Sequence, residues 1–351
     1  MERYIKFLYE HFPELVQKMK ETTHNFSQEI VNKYHMEDSV YSHTMMVCKL
    51  AQHLCPEDQN IQIACLLHDI GKVFTRVENI EKQKVSFFNH AQYSFFHSID
   101  ILNRMCFYFP LDDKDIQEIL SLIALHDRLM RIESNATKLA KTFIDNKFLL
   151  EKLAKLYYCD VNGRFFDTTV DCKDRYIDRE DVYRIAQSRT HTNLTANFKN
   201  EITFLIGLPC SGKSTYVKQL LRKDYRLSVI SRDDILLDLA ETNNYDEAWN
   251  KVDQKEVDKL LNEELRDCLA DGDNIVIDMT NLSRKGRNKF LSQIPKTYKK
   301  KCVLFCTGLD VIKDRNNNRK NKLISKDVYN RMVTSFSLPL YDQFHEIEWK
   351  F

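Results

Sequence analysis

Glycine is scarce: seven in 351 residues, about 2% against a usual share near 7%. That excludes collagen-like and low-complexity chains and argues against a turn-dense all-β architecture, so helix should dominate. Long apolar runs are missing too. None approaches the roughly 18 residues of a membrane span, and the amino-terminal stretch MERYIKFLYEHF is broken by charge too often for a secretory signal. A soluble, cytoplasmic protein with no membrane partner is therefore expected. Neither charge is in excess, because 52 Lys and Arg face 51 Asp and Glu for a net charge of +1. A nucleic-acid coat or a membrane-surface binder thus has no global support, and local patches must carry any such argument. The ten cysteines include no CxxC pair. Their spacing suggests neither a disulfide framework nor a zinc ribbon, so reduced thiols are expected.

With 43% hydrophobic and 29% charged residues, a chain of this length can bury two cores. Up to about residue 190 the apolar positions recur at helical spacing, as in Tyr41, Thr44, Met45, Cys48 and in Ile61, Ala64, Cys65, Leu67. From residue 201 the pattern changes to short runs rich in Ile and Val, namely ITFLIGLP, LSVISRDD, NIVIDMTN and KCVLFCTG, separated by helical stretches. The polar stretch from Ser188 to Asn200 is the expected boundary. The reading is two domains: an all-α bundle over residues 1–195, then an α/β domain with a mostly parallel sheet over residues 196–351.

The segment Gly207-Leu-Pro-Cys210-Ser211-Gly212-Lys213-Ser214-Thr215 fits G-x-x-x-x-G-K-[ST], with an apolar run before it and a helical stretch after it. Glycines let the loop wrap phosphate so that amide N–H groups and the helix dipole face the anion. Lys213 would reach the β and γ phosphates and Ser214 would hold Mg²⁺. Average composition yields this pattern in roughly one such chain in a hundred, so an ATP site is strongly implied. Asp233 and Asp234 follow the next strand, where a carboxylate could take the proton of an acceptor hydroxyl. The plainer alternative is a helix N-terminus with a charged first turn. Asp278, Thr280 and Asn281 end the third strand, as a Walker-B-like acid and acceptor contacts or as ordinary turn chemistry. Lys313, Arg315, Arg319, Lys320 and Lys322 lie at helical spacing, and Arg315 and Arg319, four apart, could close over the phosphates. A solvated charged surface is the alternative. Lys296, Lys299, Lys300 and Lys301 could track a polynucleotide backbone, on weak grounds.

Residues 201–351 resemble the P-loop 5′-OH polynucleotide kinases, with GLPCSGKST, RDD, DMTN and a two-arginine lid in the family's order. The resemblance implies Asp233 as general base, Arg319 on the ATP phosphates and Arg315 as an auxiliary. Arg232 would join Asp278, Thr280 and Asn281 in binding substrate. One position departs: where the phage enzyme has an arginine that helps hold the acceptor's phosphate, this chain has Leu236.

In the first half, His68-Asp69-Ile-Gly71-Lys72 ends an apolar helix. His43 stands upstream on a face with Met46, Val47 and Leu50, and Asp160 downstream after another apolar helical stretch. Buried imidazole and carboxylate are costly unless paired or metal-bound, and this N/O set suits divalent metals. His90 and His126 could complete a second position, with His97 as a rival ligand. Two metals would lower the pKa of a shared water and clamp a phosphoryl group, and Lys72 could neutralise the scissile phosphate. The remaining six histidines, His24 and His35 among them, read as incidental. The set resembles the HD-domain phosphohydrolases, whose H…HD…D signature matches over roughly residues 35–165.

The two halves together resemble the bifunctional HD-domain polynucleotide kinases. That resemblance implies metal-dependent hydrolysis of a 2′,3′-cyclic phosphate or terminal 2′- or 3′-phosphate by the first domain. It implies ATP-dependent phosphorylation of 5′-OH ends of RNA or DNA by the second. The cofactors would be ATP with Mg²⁺, and one or two divalent transition metals such as Mn²⁺, Ni²⁺, Co²⁺ or Fe²⁺; a separate ligase would seal the strand. A nucleotide-salvage enzyme and an ATP-switch regulatory protein stay open as alternatives.

Overall fold

The computed structural model describes residues 1–127, 147–168, 198–223, 227–319 and 322–351. The chain divides into two units, Met1–His191 and Thr192–Phe351. The expected boundary stretch and Lys320 lie mostly or wholly outside the described residues.

The first unit is helical: α1 (Glu2–His11), α2 (Pro13–Glu21), α3 (Val40–Leu54), α4 (Gln59–Leu67), α5 (Lys72–Thr75), α6 (His90–Met105), α7 (Asp113–Leu125) and α8 (Lys147–Asn162). Its centre is α4, where every residue from Asn60 to Leu67 is buried, so the helix reads as an apolar run rather than a stripe. Asn60 meets that burial by donating to Asp115 and Glu118 at 2.9 and 2.8 Å. Side chains fix three starts: Ser39 caps α3, Asp58 caps α4, and Asp112 forms a reciprocal capping box with Asp115 on α7. The unit is not purely helical. A hairpin of β1 (Arg76–Asn79) and β2 (Lys84–Phe87) separates α5 from α6. Its four-residue strands are polar and largely exposed, too short and too wet to leave an apolar alternation in the sequence.

The second unit holds one five-stranded sheet in the order β4-β5-β3-β6-β7, every neighbouring pair parallel. The strands are β3 (Asn200–Ile206), β4 (Leu227–Ser231), β5 (Asn274–Asp278), β6 (Tyr298–Phe305) and β7 (Glu346–Lys350). The helices are α9 (Lys213–Lys223), α10 (Arg232–Ala240), α11 (Tyr245–Lys251), α12 (Gln254–Asp271), α13 (Arg284–Leu291), α14 (Leu309–Asn317) and α15 (Lys326–Ser335). The four expected runs are β3 to β6, and β7 is an addition. Because the strands are parallel, the segments following β3, β4 and β5 share one edge of the sheet, where such sheets bind ligands. Arg287, fully buried, braces that edge by donating to the carbonyls of Asn281 and Leu282 at 3.0 and 2.8 Å and to Gln343 Oε1 at 2.9 Å.

Among the described residues nine cysteines are free, and no helix is long and apolar enough to cross a membrane.

Candidate active sites

In the first unit the motif residues meet where helices end. His43 lies inside α3; His68 caps the C-terminus of α4 and Asp69 follows it; His90 opens α6, His126 caps α7, and Asp160 lies in the last turn of α8. Three imidazoles hydrogen-bond Nδ1 to a backbone carbonyl, His68 to Cys65 O (2.8 Å), His90 to Phe87 O (2.9 Å) and His126 to Ile123 O (2.8 Å), while His43 Nδ1 lies 3.2 Å from Glu37 Oε1 without a hydrogen bond. In those three an Nδ1–H committed to an oxygen leaves Nε2 as the lone pair, whereas His43 Nε2 hydrogen-bonds Asp160.

They converge on two carboxylates. His43 Nε2 is 3.1 Å from Asp160 Oδ1 and 3.4 Å from Asp69 Oδ2, and His68 Nε2 is 3.3 Å from Asp69 Oδ2. On the other side of Asp69, Oδ1 is 3.3 Å from His90 Nε2 and 3.7 Å from His126 Nε2. Asp69 thus joins two three-ligand groups, His43–His68–Asp160 and Asp69–His90–His126.

The donor set fits divalent cations. Two Nε2 lone pairs, of His90 and His126, face each other at 3.0 Å, an arrangement that needs a positive charge between them. His68 Nε2 and Asp69 Oδ1 are buried without a hydrogen-bond partner. Burial opposes ionisation of Asp69, but Lys72 and His68 outweigh it and hold the carboxyl well below its usual range. Asp160 is held down in the same way, against burial, by His43 and Arg164. Burial, aided by His126 and Lys72 against Asp69, lowers His90 to about 4, so its imidazole is neutral at pH 7 and free to ligate.

Two cations accompany the carboxylates. Lys72 Nζ lies 2.6 Å from Asp69 Oδ2, and Arg164 Nη2 lies 3.6 Å from Asp160 Oδ1. Gly71 makes the cluster possible: a Cβ there would collide with the His90 carbonyl and the Ser94 amide, so only glycine lets α6 deliver His90 beside Asp69. His97 takes no part, because its ring stacks on Phe74 at 3.9 Å.

Sequence reasoning missed four residues. His24 and His35, read as incidental, are a stacked pair (4.5 Å, 13°) beside the cluster. Arg164 and Glu37 carried no motif at all. Glu37 takes His35 Nδ1 at 2.7 Å and lies 3.2 Å from His43 Nδ1, while His35 Nε2 faces Arg164 and His24 Nε2 faces Lys72, both at 3.4 Å. His24, His35 and Glu37 lie close enough to form a third ligand group. However, rings stacked nearly parallel send their in-plane lone pairs along parallel lines, which is poor geometry for a shared ion. They form an outer layer that orients His43, Lys72 and Arg164.

In the second unit the loop between β3 and α9 has the conformation that a phosphate cradle needs. Gly212 has φ +103° and Cys210 has φ +65°, the former open only to glycine at low cost. The Gly207 amide donates to Thr280 O, which ties the loop to β5. Lys213 Nζ bonds the loop's own carbonyls, Gly207 O at 3.0 Å and Leu208 O at 2.8 Å. Burial lowers its pKa to about 8, against the raising effect of Asp278 and Asp233. Ser214 and Thr215 are exposed at the start of α9, and burial together with Asp233 and Asp234, against Lys213, raises Asp278. ATP fits these groups: Ser211 Oγ and Arg319 Nη1 are buried without hydrogen-bond partners, and both are donors suited to phosphate oxygens.

The two arginines do not share a helix face. The helix α14 stops at Asn317, and Arg319 lies beyond it, because Asn316 bonds both the carbonyl and the amide of Ile324 and folds the chain back. Arg315 instead bonds Cys210 O at 3.0 Å. Asp233, in the first turn of α10, is ion-paired with Lys322. Arg232 is committed to α12, paired with Asp258 and donating to Gln254 at 2.8 Å. Asn281 spends its amide on Leu205 O and Ile277 O. Leu236 is buried with Ala240, Ala248 and Val257. The lysines expected to track a polynucleotide are largely engaged: Lys299 with Glu201 and Glu346, Lys301 with Glu346 and Glu348, and Lys300 with Leu291 O.

No curated protein matches the sequence. Solved structures similar to parts of it include the following two. One is a chain of the Pnkp1/Rnl/Hen1 RNA repair complex, 21% identical over 42% of this chain and 46% of that one, with a TM-score of 0.33. The other is a chain from a second structure of the Pnkp1/Rnl/Hen1 complex, 20% identical over 38% of this chain and 44% of that one, with a TM-score of 0.29. The chain therefore spans less than half the length of either. Residues 40–157 match the family model of the HD domain, and residues 202–339 match that of an AAA domain. The two matches fall in order along the chain, the HD domain within the first unit and the AAA domain, which includes the P-loop, within the second.

Proposed function

We propose that the chain is a bifunctional end-healing enzyme for broken nucleic-acid strands, RNA foremost, acting in the cytoplasm ahead of a separate ligase. The observation that carries this reading is the pairing, in one chain, of two unlike clusters of polar groups. One is a His/Asp cluster joined through Asp69; the other is a P-loop with a strand-end carboxylate, Asp233. Strand cleavage of the ribonuclease type leaves a 2′,3′-cyclic phosphate and a 5′-OH, one substrate for each.

In the kinase half, the loop from Gly207 to Thr215 wraps the ATP phosphates and Lys213 leaves its carbonyl partners for them, while Ser214 and Asp278 would hold Mg²⁺. Asp233 takes the proton of the 5′-OH as its oxygen bonds the γ-phosphorus and the bond to the β-phosphate oxygen breaks, releasing ADP. Arg319, with a donor to spare, meets the charge that develops on the transferring group. In the HD half, His43, His68 and Asp160 would hold one divalent cation and Asp69, His90 and His126 a second. Such ions supply Lewis acidity toward phosphoryl oxygens and lower the pKa of water. Lys72 and Arg164 neutralise the phosphate, water adds to phosphorus, and the 2′ or 3′ oxygen leaves with a proton.

The test is one reaction that follows both ends of an RNA oligonucleotide bearing 5′-OH and 2′,3′-cyclic phosphate, with ATP and Mg²⁺ present. We expect γ-phosphate transfer that is lost in Lys213→Ala, and opening of the cyclic phosphate that is lost in Asp69→Ala. ATP binding with neither end changed would overturn the reading. Transfer to free nucleosides in preference to oligonucleotides would move it to nucleotide salvage.

A further inference from the structure

Two of the residues expected to hold the acceptor are committed elsewhere, since Arg232 is bound to α12 and Asn281 to backbone carbonyls, and Leu236, at the position where the family has an acceptor-holding arginine, is core. Another group can meet the strand beside Asp233. Tyr245, the first residue of α11, lies beside that carboxylate. Lys322, which pairs with Asp233, lies 3.8 Å from the centroid of the Tyr245 ring. Burial and the Asp233 carboxylate beside it push the phenol's pKa up. Tyr245 also packs on the cluster of Leu236, Ala240, Ala248 and Val257, so α10 and α11 hold it rigidly with respect to Asp233.

One turn further along, Trp249 stacks on Tyr245, ring centroids 6.0 Å apart and planes 26° apart, while 47% of the residue remains exposed. An indole backed by another ring, with much of its surface open, costs little conformational entropy when a flat ligand lands on it. Aromatic side chains beside a site that must admit any strand end are how single-stranded nucleic acid is held without sequence preference, because every base has a π face.

We infer that Tyr245 and Trp249 form the acceptor subsite of the kinase half, a stacking platform for the terminal nucleobase of the 5′-OH strand. The inference rests on the kinase reading above and names how that site holds its second substrate. The base lies on Trp249, and the sugar reaches past Tyr245 so that its 5′ oxygen comes to Asp233. Lys322 is the cation displaced from the carboxylate as the hydroxyl arrives.

The two tryptophans of the chain are Trp249 and Trp349, so Trp349→Phe leaves Trp249 as the only indole. In that background a 5′-OH oligonucleotide should quench the fluorescence, and one whose terminal nucleotide is abasic should not. In steady-state assays Trp249→Ala should raise KM for the oligonucleotide by about fivefold to a hundredfold, with KM for ATP unchanged. Trp249→Phe should restore most of the loss. The abasic-ended strand should carry the same penalty with the unaltered enzyme and none beyond it with Trp249→Ala. Transfer with an acceptor KM in Trp249→Ala within twofold of the unaltered enzyme would overturn this inference and leave the kinase reading intact. Quenching by the intact-ended strand without any transfer would support the platform and sink the kinase reading.

Discussion

Lys213 gives the kinase half a proton-linked ATP affinity. Its ammonium is buried against two loop carbonyls and titrates at about 8, far below the ordinary lysine value near 10.4. The triphosphate supplies the negative charge that burial withholds, so the bound lysine is fully protonated throughout the working range. At pH 8 about half of the free protein already carries that proton, so binding takes up about half a proton; at pH 7 the uptake is about a tenth. The complex holds more protons than the free protein, so raising the pH weakens binding, about twofold at pH 8 and about tenfold at pH 9. Isothermal titration of ATP in pairs of buffers with different ionisation enthalpies reads the uptake directly. Lys213→Arg, charged at every pH in the range, should bind ATP without this pH dependence. Uptake near zero from pH 7 to pH 9, or the same uptake in Lys213→Arg, would refute the reasoning. The same displaced pKa acts on stability in a known direction. Between about pH 8 and 10 the unfolded chain keeps a proton on Lys213 that the folded, ATP-free protein has lost, so this residue makes stability rise with pH across that window.

Three further outcomes are expected. His90→Ala should lower bound divalent metal, measured by elemental analysis of the protein as isolated, from two equivalents to one; an unchanged two would remove His90 and His126 from the ligand set. Gly71→Ala should destabilise the first unit by about 1–3 kcal/mol, the usual penalty for forcing atoms into packed backbone. It should also depress phosphate release while ATP-dependent transfer continues; urea melts and the two activity assays, side by side, check both halves of that statement. Arg319→Ala should cut kcat for transfer about a hundredfold or more, as removal of a donor to developing charge does. Arg315→Ala, whose guanidinium spends a donor on Cys210 O, should cost distinctly less, and equal losses would contradict the separate placements of the two.

How much of the fold was legible followed from burial. β3 to β6 stood out because each carries a short apolar run rich in Ile, Val or Leu, as in Ile202 and Phe204 to Ile206 of β3, all fully buried. β7 did not, because Glu346-Ile-Glu-Trp-Lys350 is the edge strand of the sheet. Its half-exposed glutamates are there to pair with Lys299 and Lys301 of β6. The same pairing explains why four nearby lysines looked like a basic patch: sequence shows the lysines together, and the glutamates that answer them arrive from 45 or so residues away. The lid arginines failed differently. Four-residue spacing implies one helix face only while the helix lasts, and the Asn316 hydrogen bonds to Ile324 end it two residues too soon.

The HD site divides along a physical line. His43, His68, Asp69, His90, His126 and Asp160 were legible because they sit on or beside the ends of helices, and apolar helical stretches mark where most of those helices lie. His24, His35 and Glu37 lie between α2 and α3, where the backbone is irregular and no period exists to read. That segment is held from outside: Arg76 donates to the carbonyls of Thr23 and Asn25, both at 3.0 Å, and the Phe165 amide donates to Glu37 at 3.0 Å. A buried carboxylate with no helix to place it is affordable only when several donors converge on it. Glu37, 3% exposed, has His35 Nδ1 and the Phe165 amide, with His43 Nδ1 3.2 Å away. The placement of Glu37 beside His43 therefore depends on contacts from the hairpin and from the residues after α8 rather than on local periodicity. The clustered residues are written in the helices. Their orientation is written in the tertiary structure, which is why a motif can name the members of such a cluster without naming the residues that aim them.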